Sequence, residues 1–394
     1  MKEVYILSYA RTPLGSFGGQ LSNFTAPQLG SIAIEAAVKR GGIKAEDVNE
    51  VFFGNVISAN IGQAPAKQAA LGAGLPNTIP CTTINKVCSS GMKSIIIGAQ
   101  SIMTGENDIV LAGGMESMSN IPYYLDKARF GYKFGGGKVI DGLQRDGLSD
   151  AYDHQAMGTS SDLTASKLDI SRKEQDRYAI QSYQRSAEAT EKKYLAEEIV
   201  PVEIPQRKGD PVVMSEDEEF KRVKLEKVPN LRGAFSKDGT ATAANSSTIN
   251  DGAAAVILIS GEKLKQLGLK PLAKIKSFAD ASQEPKWFTT TPPTAARNAM
   301  SKAGLNVGDI DYFEVNEAFA LVALAFMKSL QLDESKVNVF GGAVSLGHPI
   351  GVSGTRITGT LANVLKLKGG KYGLAAICNG GGGASSIILE SIKE

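Results

Sequence analysis

The chain has 394 residues, 42% of them hydrophobic and 21% charged, and at roughly 150 residues per domain that length predicts two or three domains with cores of their own. Lys and Arg number 43 against 41 Asp and Glu. A net charge of +2 excludes a nucleic-acid binder built on bulk charge, and no apolar run approaches the ~18 residues of a membrane span.

From the N-terminus, Val4-Tyr5-Ile6-Leu7 reads as a strand, with neither an apolar signal region nor an Arg- and Ser-rich transit segment before it. Residues 36–55 (AAVKRGGIKAEDVNEVFFGN) then read as an amphipathic helix, a glycine stop at Gly42, an acidic turn at Asp47 and a β-rich run. Residues 298–317 (NAMSKAGLNVGDIDYFEVNE) repeat that pattern with Gly304 and Asp309. Cys88-Ser89-Ser90-Gly91 stands in the first copy where His348-Pro349-Ile350-Gly351 stands in the second, each before a helix-like stretch. Strand-like 109–112 and 374–378 follow. The second copy's last strand, 384–389, comes at once, whereas its counterpart 253–259 is delayed by more than a hundred residues. Two copies of one βαβ-rich unit, the first interrupted by an insertion near 120–250, account for this, and alternating strands and helices predict mostly parallel sheets covered by helices. Within the insertion, 171–198 is charged and helical, and reads as a solvated face. The C-terminal Ser391-Ile392-Lys393-Glu394 is no peroxisomal address, and three cysteines are too few for a disulfide framework. A soluble cytoplasmic protein in a reducing compartment is the expectation.

Chemistry concentrates at four places. Cys88 precedes the predicted helix 92–103, whose N-terminal N–H groups and dipole would lower a thiol pKa and favour a nucleophile; a structural cysteine is the alternative. His348 lies among glycines in Gly347-His348-Pro349-Ile350-Gly351-Val352-Ser353-Gly354, at the place of Cys88 in the repeat, so the two helix starts converge if the copies pack about a pseudo-twofold axis. Cys378-Asn379-Gly380-Gly381-Gly382-Gly383 exposes backbone donors of the kind an oxyanion hole needs. A phosphate loop is the other reading of those glycines, but G-K-[ST] and an early G-x-G-x-x-G are missing. Asn316-Glu317-Ala318-Phe319 supplies a neutral amide. Cys81 has no such context and reads as structural, and with only two histidines a His-rich metal site is disfavoured.

Taken together and in this order, N-x-x-C-x-S-G, N-E-A-F, G-H-P-x-G-x-S-G and C-x-G-G-G on a duplicated α/β chain resemble the thiolase family along nearly the whole length, most of all its short-chain acetyl-CoA acetyltransferases. The resemblance implies an α/β duplicated fold, two βαβ-rich halves in α-β-α-β-α layers with an inserted loop domain. The implied division is 1–120 plus 250–271, an inserted CoA-binding domain 121–249, and 272–394. It implies reversible Claisen condensation of two acetyl-CoA to acetoacetyl-CoA and CoA through an acetylated Cys88. His348 activates the thiol, Cys378 shuttles the proton, and Asn316 holds an oxyanion-hole water beside His348. The N–H groups of Cys88 and Gly380 form the second hole.

For coenzyme A the resemblance points to Arg222, Val223, Lys224 and Lys227 beside Lys221, to Ala234, Phe235, Ala243 and Ser247, and to Leu148, Met157, Ala318 and Phe319; a solvated basic run is the plain alternative for 221–227. Tyr183, Ala243, Ala244, Ser246 and Val344 match the positions that hold potassium in potassium-activated members. No redox or organic prosthetic group is implied, CoA thioesters are the substrates, and the family forms homodimers or homotetramers, for which the apolar stretch 101–112 is the expected sheet. One departure stands out: Ala156 occupies the position of a histidine in bacterial biosynthetic members, and the nearby His154 reads as a loop residue. A ketoacyl synthase would need a histidine at Asn316, and an HMG-CoA synthase a glutamate base in place of the second cysteine. A non-catalytic acyl-CoA binder would tolerate loss of Cys88, His348 or Cys378. A broader-chain 3-ketoacyl-CoA thiolase is the nearest alternative.

Overall fold

The structure, a computed structural model, describes residues 1–392. Its centre is a ten-stranded sheet system. Nine principal strands are β1 (Val4–Arg11), β2 (Glu50–Gly54), β3 (Cys81–Ile84), β4 (Ile109–Ser117), β5 (Asn250–Ser260), β6 (Ala273–Ser282), β7 (Tyr312–Val315), β8 (Tyr372–Asn379) and β9 (Gly383–Ser391). Their spatial order is β7-β8-β9-β6-β1-β5-β4-β2-β3, with the short Gly15–Ser16 strand on β5. The β6–β1 junction, where Tyr5 meets Lys274, divides two matching halves. Only β7–β8, β2–β3 and β2–β4 are parallel. The sheet is mixed, against the expectation of mostly parallel pairing. The reason is local: β9 follows β8 through the tight Gly380–Gly382 turn and must return antiparallel, and β5 takes the same place beside β4.

The repeat is visible in its caps. Helix α1 (Ala26–Gly41) begins with a Thr25/Gln28 capping box and ends at Gly42 with φ 63°. Its counterpart, which follows the insertion's α4 (Met157–Leu168) and α5 (Arg172–Glu191), is α6 (Pro292–Ala303), and it ends at Gly304 with φ 67°. In the turns that follow, Asp47 accepts from the Lys44 N–H at 2.9 Å and Asp309 from the Asn306 N–H at 2.8 Å.

Three buried clusters define the layers. Leu29, Ala33 and Ile34 of α1 pack on Phe53, Leu111 and Ile257 on one outer face. On the other, Ala296 and Met300 of α6 and Leu321 and Phe326 of α7 (Ala320–Leu330) pack on Phe313, Val315 and Leu374. Between the two halves of the sheet, Ile95 and Ile96 of α3 (Ser90–Thr104) and Ile357 and Leu361 of α9 (Ser353–Lys368) meet Val256, Ala375 and Ile377. Residues 254, 256 and 258 of β5 face the central layer and 253, 255, 257 and 259 the outer one, the period of two that a strand covered on both faces requires. Each fully buried Phe or Ile contributes roughly 2–3 kcal/mol of transfer free energy.

The two central helices cross where side chains are absent. A Cβ on Gly91 would lie 2.9 Å from the Thr355 nitrogen, and one on Gly354 would lie 2.4 Å from the Met92 nitrogen. This reciprocal pair matches Gly91 with Gly354, three residues from the match suggested by sequence, so Gly351 and not His348 is the symmetry mate of Cys88. Helix α5 also departs from its expected solvated character: it stops at Glu191, and Tyr178, Ala179, Ser182, Tyr183 and Ser186 bury one whole face. Of the stretch 101–112 expected to form a dimer sheet, the strand residues 109–112 are buried inside the chain, and the edges of the sheet are β7 and β3.

Candidate active site

Cys88 is presented by a tight backbone turn. The Asn85 carboxamide accepts the Val87 N–H at 3.0 Å and Ser90 Oγ donates to the Val87 carbonyl at 2.6 Å, holding Val87 at φ 48°. A β-branched residue in the left-handed region is strained, and such strain persists where the surroundings over-determine it. The sulfur faces the Gly380 N–H and its own N–H, which pull its pKa down, but burial outweighs them and pushes the thiol up to about 11. The expected lowering by a helix N-terminus is not met: α3 starts at Ser90, and desolvation of the thiolate is the larger effect. Cys88 therefore rests as a thiol.

His348 sits in the loop that leads into the helix Ser353–Lys368. It is 5% exposed, and its N–H donates to Asn250 Oδ1 on β5 at 3.0 Å. Gly347, at φ 110°, allows this approach, since a Cβ there would fall 2.3 Å from the Asn250 side chain. Ser353 Oγ lies 2.5 Å from His348 Nδ1 and 3.2 Å from the Pro349 carbonyl, which can only accept. The hydroxyl proton goes to that carbonyl, so Nδ1 carries the ring proton and Nε2 keeps a free lone pair, 3.5 Å from the Asn316 amide nitrogen. Burial, and then the Arg356 guanidinium, push the imidazole down to about 3. The ring is kept neutral by burial and not by a helix terminus, since α9 starts only at Ser353.

Cys378 ends β8 with no solvent exposure, and burial together with neighbouring Cys88 raises its thiol well above the ordinary value. Next to it, Asn379 Oδ1 accepts from Ser89 Oγ at 2.9 Å, tying the glycine turn to the Cys88 turn. A Cβ on Gly380 would sit 3.6 Å from both Met157 and Val87, which places the Gly380 amide at the floor between them. From the other half, Lys86 reaches Asp280 at 2.6 Å and Ser385 at 2.8 Å, fastening the Cys88 turn across the molecule.

Beside His348 opens a cavity of about 190 Å³ lined by Leu148, Met157, Phe235, Ser247, Ala318 and Phe319, all singled out in the sequence, and by Met118 and Ile350, which were not. Phe235 stands edge-on to Phe319 at 6.0 Å and covers Gly158, where a Cβ would meet the ring at 2.1 Å. Ala234 lies in the loop that presents Phe235, its N–H donating to the Ala241 carbonyl. Arg222 and Lys224 are exposed between two short 3-10 turns and Lys227 on the second; none of the three forms an ion pair among the described residues, while Lys221 pairs with Glu216 and Val223 packs beside the core. They do not line the cavity.

Ala243 is exposed, whereas Tyr183, Ala244, Ser246 and Val344 are buried. His154 is exposed, at φ 60°. Cys81 is half-buried on the edge strand, apart from the cavity lining. Sequence reasoning missed the buried carboxylate of Glu317. It accepts from Tyr178 and Ser182 of α5 and from Asn338, all at 2.8 Å, and from the Val344 N–H at 3.0 Å, joining the insertion to the Asn316 loop. Its signal was a charge inside an otherwise apolar run after β7.

The Cys88 thiol thus faces the Gly380 amide and neighbours Cys378, while His348 lines the cavity with Met157 and Phe319. Residues 4–262 match the thiolase N-terminal domain model and residues 269–391 the thiolase C-terminal domain model. An acetyl-CoA acetyltransferase of Schizosaccharomyces pombe is 55% identical over 99% of both chains, and a cytosolic one of Gibberella zeae is 54% identical over 99% of this chain and 98% of that one. The crystal structure of an Ascaris suum thiolase in complex with coenzyme A superposes with a TM-score of 0.95 at 46% identity, covering 99% of this chain and all of that one. With both of its halves matched and the whole length shared with such relatives, the chain belongs to the thiolase family.

Proposed function

We propose that the chain is an acetyl-CoA C-acetyltransferase, cleaving acetoacetyl-CoA with CoA into two acetyl-CoA and running the reverse condensation. The observation that carries this reading is the Cys88 thiol facing the Gly380 amide, with Cys378 as its electrostatic neighbour. In thiolysis, Cys88 Sγ attacks the 3-keto carbon and its proton passes to His348 Nε2. The oxyanion is met by the N–H groups of Cys88 and Gly380. The carbon–carbon bond breaks, and the departing enolate, stabilised beside His348 and Asn316, takes the Cys378 proton as acetyl-CoA forms. The Cys378 thiolate then deprotonates CoA, whose sulfur attacks acetyl-Cys88, and Cys88 recovers its proton from His348. A Cys378 pKa held high suits a group that must rest protonated and give its proton to a carbanion.

Coenzyme A is assigned to the cavity walls, with its phosphates at the exposed Arg222, Lys224 and Lys227. A potassium ion at Tyr183, Ala243, Ala244, Ser246 and Val344 is supported by the Ser246 hydroxyl, which is buried without a hydrogen-bond partner. The three-part division at 120, 250 and 271, a homodimeric or homotetrameric assembly and a cytosolic location complete the proposal. Exposed Phe130 and Phe134 on the inserted segment support self-association, light scattering tests it, and cell fractionation tests the location.

The deciding experiment mixes the protein with acetyl-CoA and seeks the acetyl group by mass spectrometry. It is expected on Cys88, and Cys88→Ser is expected to bind CoA but transfer nothing. Turnover retained by Cys88→Ser rejects the reading, and faster thiolysis of a long-chain ketoacyl-CoA than of acetoacetyl-CoA rejects the substrate.

A further inference from the structure

The loop that carries His348 belongs to the second half of the chain, yet it is seated in the first. The Gly351 carbonyl enters a socket without side chains: a Cβ on Gly114 would lie 2.0 Å from that oxygen, one on Gly54 2.9 Å and one on Gly91 3.0 Å. At the mouth of the socket stands Glu116, fully buried on β4. Its Oε2 accepts the Gly351 N–H at 3.0 Å and the Val56 N–H at 2.9 Å, while Oε1 accepts Asn55 Nδ2 at 2.9 Å and the Ile57 N–H at 3.2 Å. A carboxylate is the one side chain of this length that offers only acceptors, and four N–H donors converge on it. Two residues beyond Gly351, Ser353 fixes the His348 tautomer.

We propose that Glu116 is a positioning residue for acyl transfer, clamping the His348 loop to the 55–57 segment of the other half and so setting where the imidazole meets Cys88. The proposal rests on the reading of Cys88 as nucleophile and His348 as base. Sequence supports the placement, since Glu116 is the only charged residue in the apolar run of β4. Burial pushes the Glu116 carboxyl up to about 7 against the pull of its N–H donors, and its charge lies close enough to oppose ionisation of Cys88.

Glu116→Gln tests the clamp, because it keeps size and turns one acceptor into an N–H facing other N–H groups. A base displaced by a fraction of an ångström to 1 Å costs on the order of 10–100-fold in rate. Expected are a CoA affinity within about twofold of the wild type, an unchanged KM for acetoacetyl-CoA, and a kcat and a Cys88 acetylation rate both lower by about tenfold or more. A folded variant with wild-type kcat overturns the proposal, as does a loss confined to KM. Should Glu116→Gln not fold, Asn55→Ala removes one of the four donors and leaves the Gly351 bond. There kcat is expected to fall about threefold at unchanged CoA affinity, and an unchanged kcat overturns the proposal. Wild-type protein that never acetylates Cys88 brings down the active-site reading and this proposal with it; equal acetylation of variant and wild type overturns the positioning role alone.

Discussion

Removing His348 isolates the one quantity on which the acylation step turns. The Cys88 thiol is held up to about 11, so at pH 8 only ~1 molecule in 1000 carries a spontaneous thiolate. On the proposed mechanism the proton leaves through Nε2, the Ser353 contact at 2.5 Å being on Nδ1. His348→Ala deletes that route, and acetylation then proceeds only through the rare thiolate. General-base loss is expected to slow acetylation by ~100–10,000-fold. The residual rate should also rise about tenfold per pH unit from about 7 to about 10, while the wild-type rate stays nearly flat there. Rapid-quench mass spectrometry of acetyl-Cys88 after mixing with acetyl-CoA reads both, with CoA binding as the folding control. Wild-type rates in the variant, or a variant rate indifferent to pH, would refute the assignment of His348 as base.

Phe319→Ala opens the cavity wall and removes the edge-on contact with Phe235; a loss of about 3–5 kcal/mol in urea unfolding is expected, and a loss below 1 kcal/mol would show that the wall collapses onto the gap. Arg222→Ala with Lys224→Ala should raise KM for CoA about tenfold or more, steeply dependent on salt, and leave stability within about 0.5 kcal/mol; unchanged KM would return 221–227 to a solvated basic run. Burial of Asp280, which would raise its pKa, is outweighed by Lys86, Lys93 and Ser385, and the carboxyl is held at about 2. Its folded pKa lies below the unfolded ~3.9, so its contribution is complete above about pH 5 and disappears as pH falls toward 2. The thermal midpoints of wild type and Asp280→Asn should therefore differ at neutral pH and converge near pH 2, and a gap independent of pH would contradict the linkage.

The linear sequence determined a good deal. Amphipathic helix, glycine stop, acidic turn and strand recur at 36–55 and 298–317 because capping and burial are local requirements, and the matching Asp47 and Asp309 turns show the same physics acting twice. His348 and Cys378 announced themselves by glycine-rich surroundings, where backbone must come close to something, Cys88 by its place before a helix and Asn316 by its place at a strand end. The direction of β9 was written in the three-residue turn after β8 and was overlooked, whereas that of β5 beside β4 was not legible, because more than a hundred residues separate them. Nor was the true register of the repeat, which is settled by Gly91 and Gly354 passing between two helices.

The pKa of a thiol depends on what surrounds it in space, and sequence placed Cys88 near a helix start without revealing the desolvation that reverses its shift. Glu116 and Glu317 escaped for a related reason: each serves donors brought from several distant segments, and only the closed fold sets Val56 and Gly351 around one carboxylate. Local chemistry is written along the chain, whereas burial and convergence exist only once the chain has folded onto itself.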